Sequence, residues 1–327
     1  MVLESIIGEK RIRQNPVLIL FITFFLTLAS IYFADLLFPE HGSILSVAFV
    51  TIALVPIIHN ILASEESEEL LERKSSATFF ARHFNVIMLY VWVFIGIILA
   101  FSVAYVVAPI DAKPVFFDEQ ITAFCSISGS ASCNEGKPLS IAGRATASAM
   151  SVCQNPSSKN VFACTSFIYE NNAGVLAFIL ALSVIYGAGA IFIIAWNASI
   201  LGVFFGEMIM AGEHLRGFGF LQGMLIGHGP PELLAYVFAA LAGAIISAAI
   251  SKGDFLRHEG EIIIKDVLFL VGLAVFSVVY GAFVEAVGLM GWSDVYYIAG
   301  FVYILLVLAA VFFYGKKSKN YSAKFSY

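Results

Sequence analysis

The chain has 327 residues, 60% of them hydrophobic and 13% charged, and a mean hydropathy of +0.91. A soluble domain of this size carries about 25% charged residues to keep its surface wetted, so most of this surface is built to meet lipid. The net charge of −5 is small and scattered, which excludes a basic stripe for nucleic acid. A dinucleotide-binding glycine fingerprint, a P-loop and an HExxH metal motif are absent, so neither a cofactor nor a metal is expected.

A helix needs roughly 20 apolar residues to cross a bilayer core. After an arm holding Lys10, Arg11 and Arg13, the first such stretch is Val17–Phe38. It exceeds the 7–15 apolar residues of a secretory signal, and no small-residue cleavage site follows before Pro39, so it reads as a retained helix. Ser43–Ala63 is the second span. The polar loop Ser64–His83 comes next, with the run SEESEELLERKSSATFFARH. Glu68, Glu69 and Arg73, then Phe79 and His83, repeat the spacing of the first two motifs of intramembrane CAAX-type proteases. Those motifs sit on separate membrane-embedded helices, and no fitting third motif follows here. The run reads as a solvated helix, and no catalytic residues are assigned. Residues 1–83 form an N-terminal hairpin with its loop, and Phe84–Ala108 (84–108) enters the core.

Residues 109–170 contain all four cysteines, Cys125, Cys133, Cys153 and Cys164. An even number in one extracytoplasmic segment points to disulfides. Three pairings exist. Cys125–Cys133 with Cys153–Cys164 is favoured because the shorter loops lose less entropy on closure. No CxxC pair or histidine lies in the segment, which argues against a metal site. Ser, Gly, Asn and Ala dominate, so a small loop-rich ectodomain without a core of its own is expected. Lys and Arg mark the cytoplasmic side of short loops. The N-terminal arm, the loop with Arg73, Lys74 and Arg82, and the tail with Lys316, Lys317, Lys319 and Lys324 are therefore placed inside, and residues 109–170 outside.

Four more spans follow: Gly174–Trp196, Pro230–Ile250, Val267–Val287 and Val295–Tyr314. With both termini inside, the number of crossings must be even, so an eighth is expected between Asn197 and Gly229. That stretch carries eight glycines, among them Gly202, Gly206, Gly227 and Gly229. Each weakens a helix by roughly 0.5–1 kcal/mol relative to alanine, so a short or broken segment is expected. Non-helical backbone at that depth requires cover by protein or a watery cavity. The alternative is close packing, with Gly202 and Gly206 as a small-xxx-small pair. The fold class is thus an all-α polytopic membrane helix bundle of about seven to eight transmembrane helices, with a glycine-broken segment and a disulfide ectodomain. Residues 171–314 form its core and residues 315–327 a basic tail.

Ionisable groups inside a membrane are expensive and call for a reason. Glu207 lies within the glycine-rich stretch. Glu232 follows Pro230–Pro231 at a helix start, where a carboxylate also meets the positive end of the helix dipole. Glu285 lies near the far end of the next long helix. If those two helices are antiparallel, the carboxyls fall within about one turn of the same depth, and His228 stands close enough to pair with either. Glu232, Glu285 and His228 are therefore expected to cluster between helices. Asn171, Asn172 and Asn197 bracket the fourth span, as caps or as interhelical hydrogen-bonding groups.

The stretch from Asn171 to Glu285 resembles the stage II sporulation protein M family, including its archaeal-type members. The matching runs are NNAGVLAFILALSVIYGAGAIFIIAWNASILG, HGPPELLAYVFAALAG and FVEAVG. They place Asn171, Asn172, Asn197, Gly202, His228, Gly229, Glu232 and Glu285 on the family's pattern, with Gly227 where the family usually has Pro. The resemblance covers about half of the chain and leaves the N-terminal hairpin and the cysteine segment outside it. It implies a non-enzymatic membrane subunit that organises an envelope or membrane-remodelling complex and positions wall-degrading partners.

The physical alternative is a transporter or channel built on a discontinuous helix around Glu207 and Glu232. The expected partners are the lipid bilayer and proteins of a membrane complex. Small-xxx-small faces are also compatible with a homodimer.

Overall fold

The computed structural model describes residues 17–72, 79–128, 153, 160–210, 212, 223, 225–252 and 260–322. Helices α1 (Val17–Leu37), α2 (Gly42–Glu72) and α3 (Phe79–Val107) come first. A 3₁₀ turn (Ile110–Ala112) and the short α4 (Lys113–Phe116) and α5 (Asp118–Ser128) follow. The rest is α6 (Val161–Tyr186), α7 (Ala190–Met210), α8 (Gly229–Lys252), α9 (Gly260–Leu289) and α10 (Ser293–Ser322). Seven of the described helices, α1–α3 and α6–α9, are long and apolar enough to cross a membrane, and α10 is apolar over the shorter Ser293–Ala309. Helices satisfy their own backbone hydrogen bonds, as lipid demands. Large apolar side chains such as Phe25, Ile52, Phe276 and Leu306 point outward, where lipid chains would cover them. The chain is a multi-pass membrane protein.

The span expected at Gly174–Trp196 is divided between two helices. Asn160 opens α6, its side chain accepting the N–H groups of Phe162 at 3.0 Å and Ala163 at 3.3 Å, which is N-cap geometry. The helix stops at Gly187, whose φ of +64° lies in the left-handed region and whose N–H bonds Ser183 O at 2.7 Å; glycine adopts that conformation without penalty. A Cβ on Gly189 would press on the backbone of Leu182 and lie 3.2 Å from its Cβ. In a continuing helix those residues would stand about 10 Å apart, so the chain folds back here. The turn lacks any polar residue, which is why hydropathy runs through it. The later part of that span, Trp196 included, belongs to α7, which runs on unbroken through Gly202 and Gly206 to Met210 where a short or broken segment is expected.

Close contacts fix the relative directions of the helices. Asn172 bonds Glu232, Gly243 meets Ser183, and Gly187 approaches Ser247, so α6 and α8 are parallel. Gly202 meets Ile98 and Phe101, and Gly206 meets Ser102 and Tyr105, so α3 and α7 are parallel. Ser277 bonds Tyr303 at 2.7 Å and Tyr280 bonds Ala299 O at 2.9 Å, so α9 and α10 are antiparallel. Gly281 faces Glu232, which brings the end of α9 beside the start of α8. The starts of α6 and α8 and the ends of α3, α7 and α9 therefore share one face of the bundle, called here the cystine face.

Two packing groups result. In the first, α1, α2, α3 and α7 surround a core containing Leu54, Ile58, Tyr90, Ile97 and Phe101. Residues 110–128, expected to be loop-rich, are helical and packed onto this group. Phe117 packs against Phe101 and Tyr105 with ring centroids 6.2 and 5.3 Å away. Gln120 is fully buried, accepting from Ser43 Oγ at 2.6 Å and donating to Ser43 O at 3.1 Å. The second group consists of α6, α8, α9 and α10.

Candidate functional site

The second group carries a polar centre near the cystine face. Asn172 is buried within α6 and donates its side-chain amide to Glu232 Oε1 at 3.0 Å. Glu232 stands in the first turn of α8, and the Glu285 carboxyl lies within hydrogen-bonding reach of it. Gly281, one turn before Glu285 on α9, makes the room: a Cβ there would lie 2.9 Å from Glu232 Cγ. Three helices thus meet through Asn172, Glu232 and Glu285.

His228 reaches neither carboxyl directly. Its Nδ1 lies 2.9 Å from the hydroxyl of Tyr296, in the first turn of α10. Tyr296 sits against glycines. A Cβ on Gly288 would fall 2.8 Å from its ring and one on Gly223 2.7 Å from its hydroxyl, and Gly227 is tighter still. His228, Glu285, Tyr296, Tyr297 and Ser293 line a cleft of about 350 Å³. The cleft places an imidazole, a carboxyl and phenol hydroxyls around one space.

The remaining candidate residues are placed elsewhere. Glu207 belongs to the first packing group, where it accepts a hydrogen bond from the Tyr105 hydroxyl and so links α7 to α3. Asn171 donates to Asn172 Oδ1 at 3.3 Å and is exposed. Neither asparagine caps a helix, because α6 begins at Val161, well before them. Asn197 likewise lies within α7 and donates to Ile193 O of its own helix at 2.8 Å. Of the four glycines, Gly202 and Gly206 lie inside the continuous α7. A Cβ would stand 2.5 Å from Phe101 Cβ at Gly202 and 2.8 Å from Tyr105 Cβ at Gly206. They serve helix approach rather than a break. Gly227 and His228 form the bend that precedes α8, which Gly229 opens.

Cys153 and Cys164 are disulfide-bonded, with Cα atoms 5.0 Å apart. Cys125 lies on α5; Cys133, and with it the other expected pairing, falls outside the described residues. Among the described residues no group of three or more His, Cys, Asp or Glu side chains is placed to hold a metal ion.

Sequence reasoning missed Tyr296, Tyr105 and Gln120. A tyrosine near the end of a span reads as part of an interfacial aromatic belt. The usable signal for Tyr296 was Gly223 and Gly227 at helical spacing, which announces a large side chain pressed against that segment.

The bundle and its centre define a polytopic membrane protein with an interhelical polar site. Residues 17–288 match the family model described as stage II sporulation protein M. The chain belongs to that family. The match takes in the N-terminal hairpin and the cysteine segment, which the sequence motifs had left outside the resemblance. Neither a curated protein nor a solved structure matches the chain.

Proposed function

We propose that the chain is a non-enzymatic membrane subunit that organises an envelope or membrane-remodelling complex, with both termini in the cytoplasm and the cystine face outside. The observation that carries this reading is the use made of the intramembrane polar groups. Asn172–Glu232 ties α6 to α8, His228–Tyr296 ties the α8 entry to α10, and Tyr105–Glu207 ties α3 to α7, while Glu232 packs on Gly281 of α9. Each pair spends its hydrogen-bonding capacity on a second helix, as a rigid platform requires. Family membership supports the same role. The lysine and arginine distribution supports the orientation.

The test combines two measurements on the full chain. Cross-linking in its native membranes, followed by purification, is expected to recover an envelope hydrolase or an ABC-type partner in fixed ratio. Liposomes containing the chain alone are expected to show no proton-coupled flux. Flux abolished by Glu232→Gln would overturn the platform reading and favour a transporter. The cleft beside Glu285 and His228 is the observation behind that second reading, since a polar cavity next to a helix start is where transporters hold substrates.

A further inference from the structure

The disulfide sits directly over the polar centre. Cys164, Ile168 and Asn172 follow at four-residue intervals and share one face of α6. Cys153 and Cys164 are 1% and 0% exposed, and they pack with Ile168 against Ala282, Ala286 and Met290, which form the matching stripe on α9. Ala282 and Ala286 flank Glu285 in sequence. Cys164 stands about 12 Å along the helix axis from Asn172, on the side of the cystine face. Cys153 therefore fills the α6–α9 seam at its open end, and small alanines on α9 leave the space it occupies. The rest of this satellite core is Ile168, Ala282, Ala286 and Met290, with Val161, Tyr169 and Leu289 partly buried against it. Fixing Cys153 to Cys164 keeps a buried residue from a separate stretch of chain lodged against α9.

We propose that the Cys153–Cys164 cystine is a redox-sensitive strap that closes the α6–α9 seam over the Asn172–Glu232 pair, so that a dithiol reductant opens Glu232 to water. The dithiol supplies two electrons and two protons. The S–S bond breaks, Cys153 and Cys164 become thiols, and the dithiol closes to its own disulfide. Freed from Cys164, Cys153 can leave the seam, and the packing of Cys164 and Ile168 of α6 against Ala282, Ala286 and Met290 of α9 loses the side chain that completes it. This coupling is independent of whether the chain acts as a platform or as a transporter.

The test uses the full chain in lipid nanodiscs, which leave both faces accessible. A water-soluble carbodiimide activates carboxyls and glycine ethyl ester captures them as amides, read at each residue by peptide mass spectrometry. Dithiothreitol followed by thiol alkylation is expected to raise labelling of the half-buried Glu232 by about fivefold or more, as local opening does. Labelling of the exposed Asp111 is expected to stay unchanged. The double variant Cys153→Ser with Cys164→Ser is expected to label at the reduced level without reductant and to ignore it. This assigns the effect to that bridge rather than to another disulfide. If the variant does not fold, comparison of oxidised with reduced wild-type protein decides alone. Equal labelling of Glu232 in those two states overturns the strap.

Discussion

Glycine brings backbones together in both packing groups, at Gly96 and Gly202 in the first and at Gly243 and Gly300 in the second, and α9 of the second group also uses it to make room for Glu232 and Tyr296. At Gly96 a Cβ would lie 2.8 Å from Leu20 O, and at Gly202 2.7 Å from Ile98 O. At Gly281 the neighbour is the Glu232 side chain and at Gly288 the Tyr296 ring. Lipid tails are as apolar as leucine, so helices in a membrane associate through close packing and hydrogen bonds rather than through the hydrophobic effect. The two groups show both solutions in one chain. The same residue type, read from sequence alone, does not say which solution it serves.

Substitutions separate the two modes. The largest effect is expected for Gly202→Leu, because its Cβ alone would stand 2.5 Å from Phe101 Cβ. Overpacking of this kind destabilises by about 3 kcal/mol, measurable as a lowered unfolding midpoint in detergent. A tolerated leucine would show that α3 and α7 do not need this close approach. Glu232→Leu comes next. It leaves the buried Asn172 amide without its acceptor, which costs about 2 kcal/mol, while Glu232→Gln keeps the shape and most of the bonding and should lose less than half of that.

A double-mutant cycle of Asn172→Ala with Glu232→Gln sharpens the comparison. Coupling of roughly 0.6–1.7 kcal/mol is expected for a hydrogen bond within a membrane bundle, and a coupling of zero would show that the pair does not hold α6 to α8. The smallest effect, about 0.5 kcal/mol, is expected for Tyr296→Phe, which deletes the hydroxyl facing His228 and leaves the ring among its glycines. A much larger loss in the same unfolding assay would mean that this hydrogen bond outweighs the packing around it.

Most of the fold was legible because hydropathy and length report lipid exposure directly. Charge placement and parity call for eight crossings; the described helices long and apolar enough to cross number seven, α7 among them. The helix boundary at Gly187–Gly189 was not legible: the turn is made of glycine and alanine, so the transition leaves no polar trough. The asparagines were misplaced for the same reason, since a span assumed to start at Gly174 puts Asn171 and Asn172 at its mouth. With α6 starting at Val161, Asn172 is buried mid-helix and free to reach α8. The carboxyl pair was legible because an antiparallel hairpin fixes the heights of Glu232 and Glu285. The destination of His228 was not, because it depends on a tyrosine from the last helix, about 70 residues further on.

The three-residue reversal between α6 and α7 also bears on how the chain enters the membrane. No Asp, Glu, Lys or Arg occurs from Asn171 to Gly206, so nothing near the turn tells the insertion machinery which side should keep it. The two helices must partition as one hairpin, taking their sidedness from the spans before and after. A chain ending just past Tyr186 would leave α6 as its last crossing, with no charged residue at that end to fix its direction.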